Sequence, residues 1–341
     1  MKSVRLHGKL DVRFENVDMA PLPGKAEVRI KVAFAGICGS DIHNYKTGQW
    51  ISRKPSIAGH EFSGWIESLG EDVTDLTLGD KVVADSRYYC GKCNNCQFAA
   101  SHLCESLGFI GEAIDGGFAD FINLPANLLI KCKPSSRLDV LALAEPLAVA
   151  LHAINQLNID DSQPLLVVGC GPIGALTALA SMCLSKRSVL VSDMNKEREG
   201  LVSKMANATP TELSEFDQFK SGSIKPVRHV LDTTGNISVM SHLIANLSGC
   251  KIGLVGIGSG EVSIDPVHLV ERELSLIGCH AFTNELSNAV DLLQQNTEQF
   301  QPVIGSMISL EETPMTYQNI VDGHTTGIKT LLSISQERKV P

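Results

Sequence analysis

No cluster of lysine and arginine stands anywhere in the chain. With 29 basic against 38 acidic side chains over 341 residues, the formal net charge is −9. A phosphate backbone is gripped by concentrated positive charge, so nucleic acid is not an expected partner. The first residues, MKSVRLHGKLDVRFENV, carry charges where a secretory leader needs an apolar stretch. A cytoplasmic protein is expected, whose ten cysteines are thiols or metal ligands, not disulfides. Long apolar runs are missing too, with one near-exception: Leu165 to Ser185 contains no charged residue. A membrane span needs about 20 predominantly apolar residues. Three glycines and a proline near the start of this run suit a buried strand, a turn and a buried helix instead. No membrane partner is expected. Internal repeats and low-complexity tracts are absent as well.

What is present starts with four cysteines in one short stretch, CGKCNNCQFAASHLC: Cys90, Cys93, Cys96 and Cys104. Short CxxC steps bring two thiolates to one ion, and further thiolates close a tetrahedral shell around zinc. A disulfide pair is the competing reading, and four thiols this close, with Gly91 and two asparagines relaxing the turn, speak against it. A closed shell leaves no open coordination position, so this zinc is expected to be structural.

The length exceeds what one hydrophobic core organises, and two domains are expected. The first 145 or so residues are rich in strands and turns, with VRIKVAFAG (28–36), FSGWIESLG (62–70) and KVVAD (81–85) as strands. From about Val140 the texture changes. LALAEPLAVALHAINQL has helical apolar spacing, and short apolar runs at 165–169, 188–193, 227–235, 250–258 and 274–278 then alternate with segments long enough for crossovers. That alternation means an α/β parallel sheet covered on both faces. The stretch Lys204–Lys225 is short and irregular for such a crossover. The expected division is 1–146 with 280–341, and 147–279.

The first strand of the second half runs into Gly169-Cys170-Gly171-Pro172-Ile173-Gly174, a GxGxxG opening an apolar helix. The first glycine permits a tight turn, the second lets backbone approach a pyrophosphate, and the third lets helix and strand pack. The helix N-terminus supplies free N–H groups for phosphate. The next strand ends in Asp193, 19 residues after Gly174. A carboxylate there hydrogen-bonds an adenosine ribose and repels a 2′-phosphate, so NAD is the expected cofactor.

Upstream, AGICGSDIHNY holds Cys38, Ser40, Asp41 and His43, and GHEFSG holds His60 and Glu61. Thiolate and imidazole suit zinc. Glu145 stands in the apolar run AEPLAVALHA, where a lone buried carboxylate is expensive without a partner.

Taken in order, AGICGSDIH, GHE, the four-cysteine lobe, AEPLAVALHA and GCGPIG resemble the zinc-dependent medium-chain dehydrogenases, in particular the polyol and sugar-acid branch with its sorbitol, threonine and L-idonate 5-dehydrogenases. The resemblance covers essentially the whole chain. It implies a Rossmann doubly wound domain for NAD and a β-rich GroES-like catalytic domain. It implies a catalytic zinc held by Cys38, His60 and Glu61, with Glu145 beside the metal-bound water and able to exchange with Glu61. Asp41 would orient His60, Ser40 and His43 would relay the proton, and Asp193 and Arg198 would contact the adenosine ribose. The implied enzyme passes hydride from a secondary alcohol to NAD and forms a homodimer or homotetramer. A threonine- or simple-alcohol dehydrogenase is the alternative. A cofactor-binding regulator on this fold would have lost a ligand or relay residue, and none is missing. One departure concerns substrate: Ala281 stands where the branch carries an arginine. Tyr45 and Trp50 are candidate pocket walls.

Overall fold

The computed structural model describes residues 1–216, 227–325 and 327–335. The chain divides into two compact units, Met1–Glu145 with Leu286–Thr297 and Ile304–Pro341, and Pro146–Glu285 with Glu298–Val303.

The first unit is built from antiparallel strands. β1 (Lys2–Gly8) pairs with β2 (Asp11–Asn16) and β4 (Ser56–Ile57). The main sheet has seven strands, β3 (Glu27–Gly36), β5 (Glu61–Leu69), β6 (Lys81–Ala84), β9 (Phe121–Pro125), β10 (Leu129–Lys131), β17 (Ile304–Ile308) and β18 (Lys329–Ser333). Its order is β10-β6-β5-β3-β18-β17, with β9 also on β3. A small hairpin, β7 (Arg87–Tyr88) and β8 (Gly108–Phe109), brackets the cysteine lobe. The apolar alternation of β3 packs Val28, Ile30 and Val32 into one core with Phe62, Ile66, Phe118 and Tyr317. Register fixes the site: Gly36 at the end of β3 pairs with Glu61 on one side and Leu331 on the other.

Among its described residues the second unit holds a six-stranded parallel sheet. β11 (Leu165–Val168), β12 (Val189–Ser192), β13 (Thr209–Pro210), β14 (His229–Asp232), β15 (Lys251–Leu254) and β16 (Ser275–Gly278) run in the order β13-β12-β11-β14-β15-β16. This is the doubly wound order, reversing at β11. All four residues of β11 are buried, as a central parallel strand requires. α5 (Pro172–Leu184) follows β11 and α6 (Lys196–Ala206) follows β12. After α6 come β13 and one short turn, and the rest of the irregular stretch to Lys225 lies outside the described residues. No helix among the described residues is long and apolar enough to cross a membrane.

The return to the first unit falls at Leu286, not at residue 280. The reason is Glu285, the first residue of α9 (Glu285–Gln295). Its carboxylate accepts from His152 Nδ1 (3.1 Å) and Asn155 Nδ2 (3.2 Å) on α4 (Ala144–Leu157), and from the Thr283 N–H (2.7 Å). These bonds tie the segment before α9 to the second unit. Although burial opposes it, the His152, Thr283 and Asn155 donors hold the Glu285 carboxyl far below its ordinary value. A depressed carboxylate stabilises the fold above its unfolded value and loses that contribution as pH falls. Glu285→Gln should therefore cost about 1–3 kcal/mol at pH 7, with the deficit narrowing below about pH 4.5. Denaturant unfolding of both proteins across that range checks it, and a gap independent of pH would count against the assignment.

Candidate active site

Cys38 is the N-cap of α1 (Gly39–Thr47). Its N–H donates to the Asp41 carboxylate at 2.8 Å, closing a capping box over the first turn. The sequence CGSD thus fixes the thiol at a helix start and buries Asp41 beside it. Gly48, in the left-handed region at φ +68°, ends the helix and turns the chain back. Gln49 Oε1 then lies 2.9 Å from His43 Nε2, and the Trp50 ring stacks on His43 at 4.1 Å.

Glu61 opens β5, with His60 just before it, and both are buried. Cys38, His60 and Glu61 each offer a ligand atom, and these atoms lie within 4.8 Å of one another. Ser40 Oγ stands 3.4 Å from His60 Nε2. Among the described residues His60 Nδ1 has no hydrogen-bond partner, and it is 3.9 Å from Asp41, too far for one. Glu145 stands outside the trio and accepts from Ser86 Oγ at 2.7 Å. On the far side of Gly36, Lys329 forms an ion pair with Glu61 and donates to the Ile37 carbonyl at 2.8 Å.

Charge is crowded here. Burial alone would push the His60 imidazolium down, but the Cys38 thiolate, Asp41 and Glu145 raise it well above its ordinary value. Burial raises the Asp41 carboxyl against the pull of His60. Burial, with Glu61 adding and His60 opposing, lifts Glu145 to about 7. Burial opposes the Lys329 ammonium, yet Glu61 and Cys38 raise it above its usual value. A thiol, an imidazole and a carboxylate converging in a buried place, with an unpartnered ring nitrogen, fit zinc.

In the lobe, Cys93 Sγ lies 3.5 Å from Cys96 Sγ and 3.9 Å from Cys104 Sγ, and Cys104 lies 3.6 Å from Cys90. A tetrahedron of thiolates about 2.3 Å from a central zinc has edges of about 3.8 Å, so the set fits. Backbone N–H groups of Lys92 and Cys93 point at the Cys90 sulfur and lower its thiol to about 6. No cysteine of the chain is in a disulfide.

The glycine-rich turn behaves as its spacing requires. A Cβ on Gly174 would run into the Gly169 carbonyl oxygen, whereas one on Gly171 would meet nothing within 4 Å. Pro172 starts α5 at its first turn. Asp193 Oδ2 accepts the Cys170 N–H at 2.5 Å and Oδ1 the Asn195 N–H at 2.7 Å, which anchors the carboxylate at the end of β12. Arg198 stands in the first turn of α6, its N–H bound by Asn195 Oδ1 at 3.1 Å.

A close packing turn, an open face beside it and an oriented acid at the next strand fit a dinucleotide. Sequence reasoning missed Lys329, Ser86 and Glu112. Lysine within the apolar run IKTLLS was the available signal for the first. Glu112 accepts from Asn44 Nδ2 at 2.8 Å, and burial raises its carboxyl against the opposing pull of His60 and that hydrogen bond. Tyr45 is no pocket wall: it is buried, edge-on to Tyr317 at 5.6 Å, and its hydroxyl donates to Gln318.

Residues 24–134 match the alcohol dehydrogenase GroES-like domain. Over 90% of its length the chain is 31% identical to an uncharacterized zinc-type alcohol dehydrogenase-like protein of Haemophilus influenzae, of which it covers 92%. The chain belongs to the zinc-type alcohol dehydrogenase family. It is an oxidoreductase with a Rossmann and a GroES-like domain. This dehydrogenase is also 28% identical to L-idonate 5-dehydrogenase of Vitis vinifera (83% of this chain, 81% of that one) and to sorbitol dehydrogenase of Bos taurus (99% and 98%). A zinc-binding dehydrogenase of Sinorhizobium meliloti, solved with NADP bound, superposes with a TM-score of 0.88 at 26% identity, over 97% of this chain and 98% of that one. Because the third glycine touches the first, Gly174→Val in this dehydrogenase should weaken nicotinamide dinucleotide binding by about tenfold or more, an effect of at least roughly 1.4 kcal/mol. Fluorescence titration with the reduced cofactor checks it, and unchanged affinity would contradict the packing role.

Proposed function

We propose that this dehydrogenase oxidises a secondary alcohol, best a neutral polyol, at the Cys38–His60–Glu61 centre and passes the hydride to NAD. The observation that carries the reading is the buried convergence of those three ligand types beside Ser40. One zinc would be held by them and a second, structural, by Cys90, Cys93, Cys96 and Cys104. Zinc in the first set supplies Lewis acidity towards a substrate oxygen, and NAD supplies the hydride acceptor. The protein's own residues do the rest. Ser40 accepts the hydroxyl proton as its own passes on, and His43, held by Gln49 and the Trp50 ring, would take that proton towards the exposed end of α1. Asp41 holds the turn that carries Cys38. Glu145, kept apart by Ser86, is free to exchange with Glu61. Cys38→Ser should lower kcat by more than about 100-fold, beyond the loss typical of an outer partner, while NAD titration stays unchanged. Near wild-type turnover would overturn the centre.

One feature supports NAD and three support a neutral substrate. Asp193 is anchored by the Cys170 and Asn195 N–H groups just after β12, and a carboxylate at that point of a dinucleotide fold would repel a 2′-phosphate. The centre is crowded by the carboxylates of Asp41, Glu61, Glu145 and Glu112. Arg53, a cation that could grip an acid, is taken by Asp115 at 3.1 Å. A guanidinium to a carboxylate is worth about 1.5–3 kcal/mol, and Ala281 offers none. kcat/KM should favour NAD over NADP, and a polyol over its aldonate by about tenfold or more. A clear preference for the aldonate would contradict the substrate assignment, and equal use of both cofactors the role of Asp193.

A further inference from the structure

Lys329 is fully buried at the start of β18, where a sheet interior has no use for an ammonium. Three features show that the place is built for it. Its Nζ is tethered to the Ile37 carbonyl at 2.8 Å, one residue before Cys38. Its charge pairs with the equally buried Glu61. Between them Gly36 of β3 leaves the gap: a Cβ there would strike the Glu61 carboxylate and lie 2.7 Å from Lys329 Cε. The lysine thus reaches across a strand to claim one of the two oxygens of a carboxylate that also faces Cys38 and His60.

We propose that Lys329 is a positioning residue that keeps Glu61 a shared ligand of the zinc, not a committed one. The proposal rests on the reading of Cys38, His60 and Glu61 as a zinc centre. A carboxylate that already neutralises an ammonium gives less of its charge to a metal. Glu61 is therefore held ready to yield its place, and Glu145, hydrogen-bonded to the neutral Ser86, can take it. The sign is opposite to that of a structural role. Loss of a structural ion pair loosens the site, whereas loss of this one frees Glu61 to bind zinc fully.

The test is release of zinc from the holoenzyme to a chromogenic chelator, with zinc counted per subunit before and during release. Wild type should release a pool from the Cys38 centre that is distinct from the four-cysteine pool. Lys329→Met should slow that pool by on the order of tenfold, the scale on which neighbours of a ligand tune a metal. In a Glu61→Gln background the same substitution should change release less than about twofold, since the coupling runs through Glu61. Should Lys329→Met fail to fold, Lys329→Gln carries the same expectation, keeping a donor for Ile37 without the charge. Release that is unchanged or faster, or equal slowing in the Glu61→Gln background, overturns the proposal alone. A wild type holding a single zinc, insensitive to Cys38→Ser, overturns the zinc centre and the proposal together.

Discussion

A protein interior tolerates negative charge only where something answers it, and here Cys38, Asp41, Glu61 and Glu145 all converge on His60. Burying several carboxylates in one place costs more than their hydrogen bonds return unless a cation is nearby. Lys329 supplies one positive charge, and the donor set fits a divalent metal for the rest. Much of the first unit follows from that requirement. β3 must end in a glycine so that Glu61 and Lys329 can meet over it. The chain must then start a helix at once, so that Asp41 caps the turn carrying the thiol. β18, from the far end of the sequence, must lie next to β3, which is why the chain returns to this sheet after Ile304.

The second unit answers a different demand. A pyrophosphate needs bare backbone N–H groups and room, and the turn after β11 provides both by packing Gly174 against Gly169 and leaving Gly171 open. The same turn uses the Asp193 carboxylate as a backbone acceptor. One side chain thus both anchors the turn and presents charge to whatever lies beyond β12.

Chemistry concentrated in a few adjacent residues was legible from sequence. The four cysteines, GHE and GCGPIG are local patterns, and the structure brings each set together within a few residues of chain. Each of the five apolar runs proposed for the parallel sheet contains one of its strands, because a doubly covered strand writes itself as continuous hydrophobicity. What depends on distant partners was not legible. Lys329 reads as a solvated lysine until β18 is placed beside β3, and Glu112 as a loop acid until Asn44 is placed opposite it. Tyr45 sits near Cys38 in sequence but points to the core, since α1 turns that face towards the helix Thr313–Val321. The crossing at Leu286 was missed for the same reason: Glu285 is held by two residues more than 125 positions earlier.

The central claim is that the converging charges around His60 are arranged for a metal. Anomalous diffraction from crystals of the full chain, collected on both sides of the zinc edge, tests it without reference to activity. The account predicts two peaks per subunit, one among Cys90, Cys93, Cys96 and Cys104 and one bonded to Cys38, His60 and Glu61 or Glu145. A zinc-grown crystal with a peak only at the four cysteines, and His60 left facing the carboxylates alone, would contradict it.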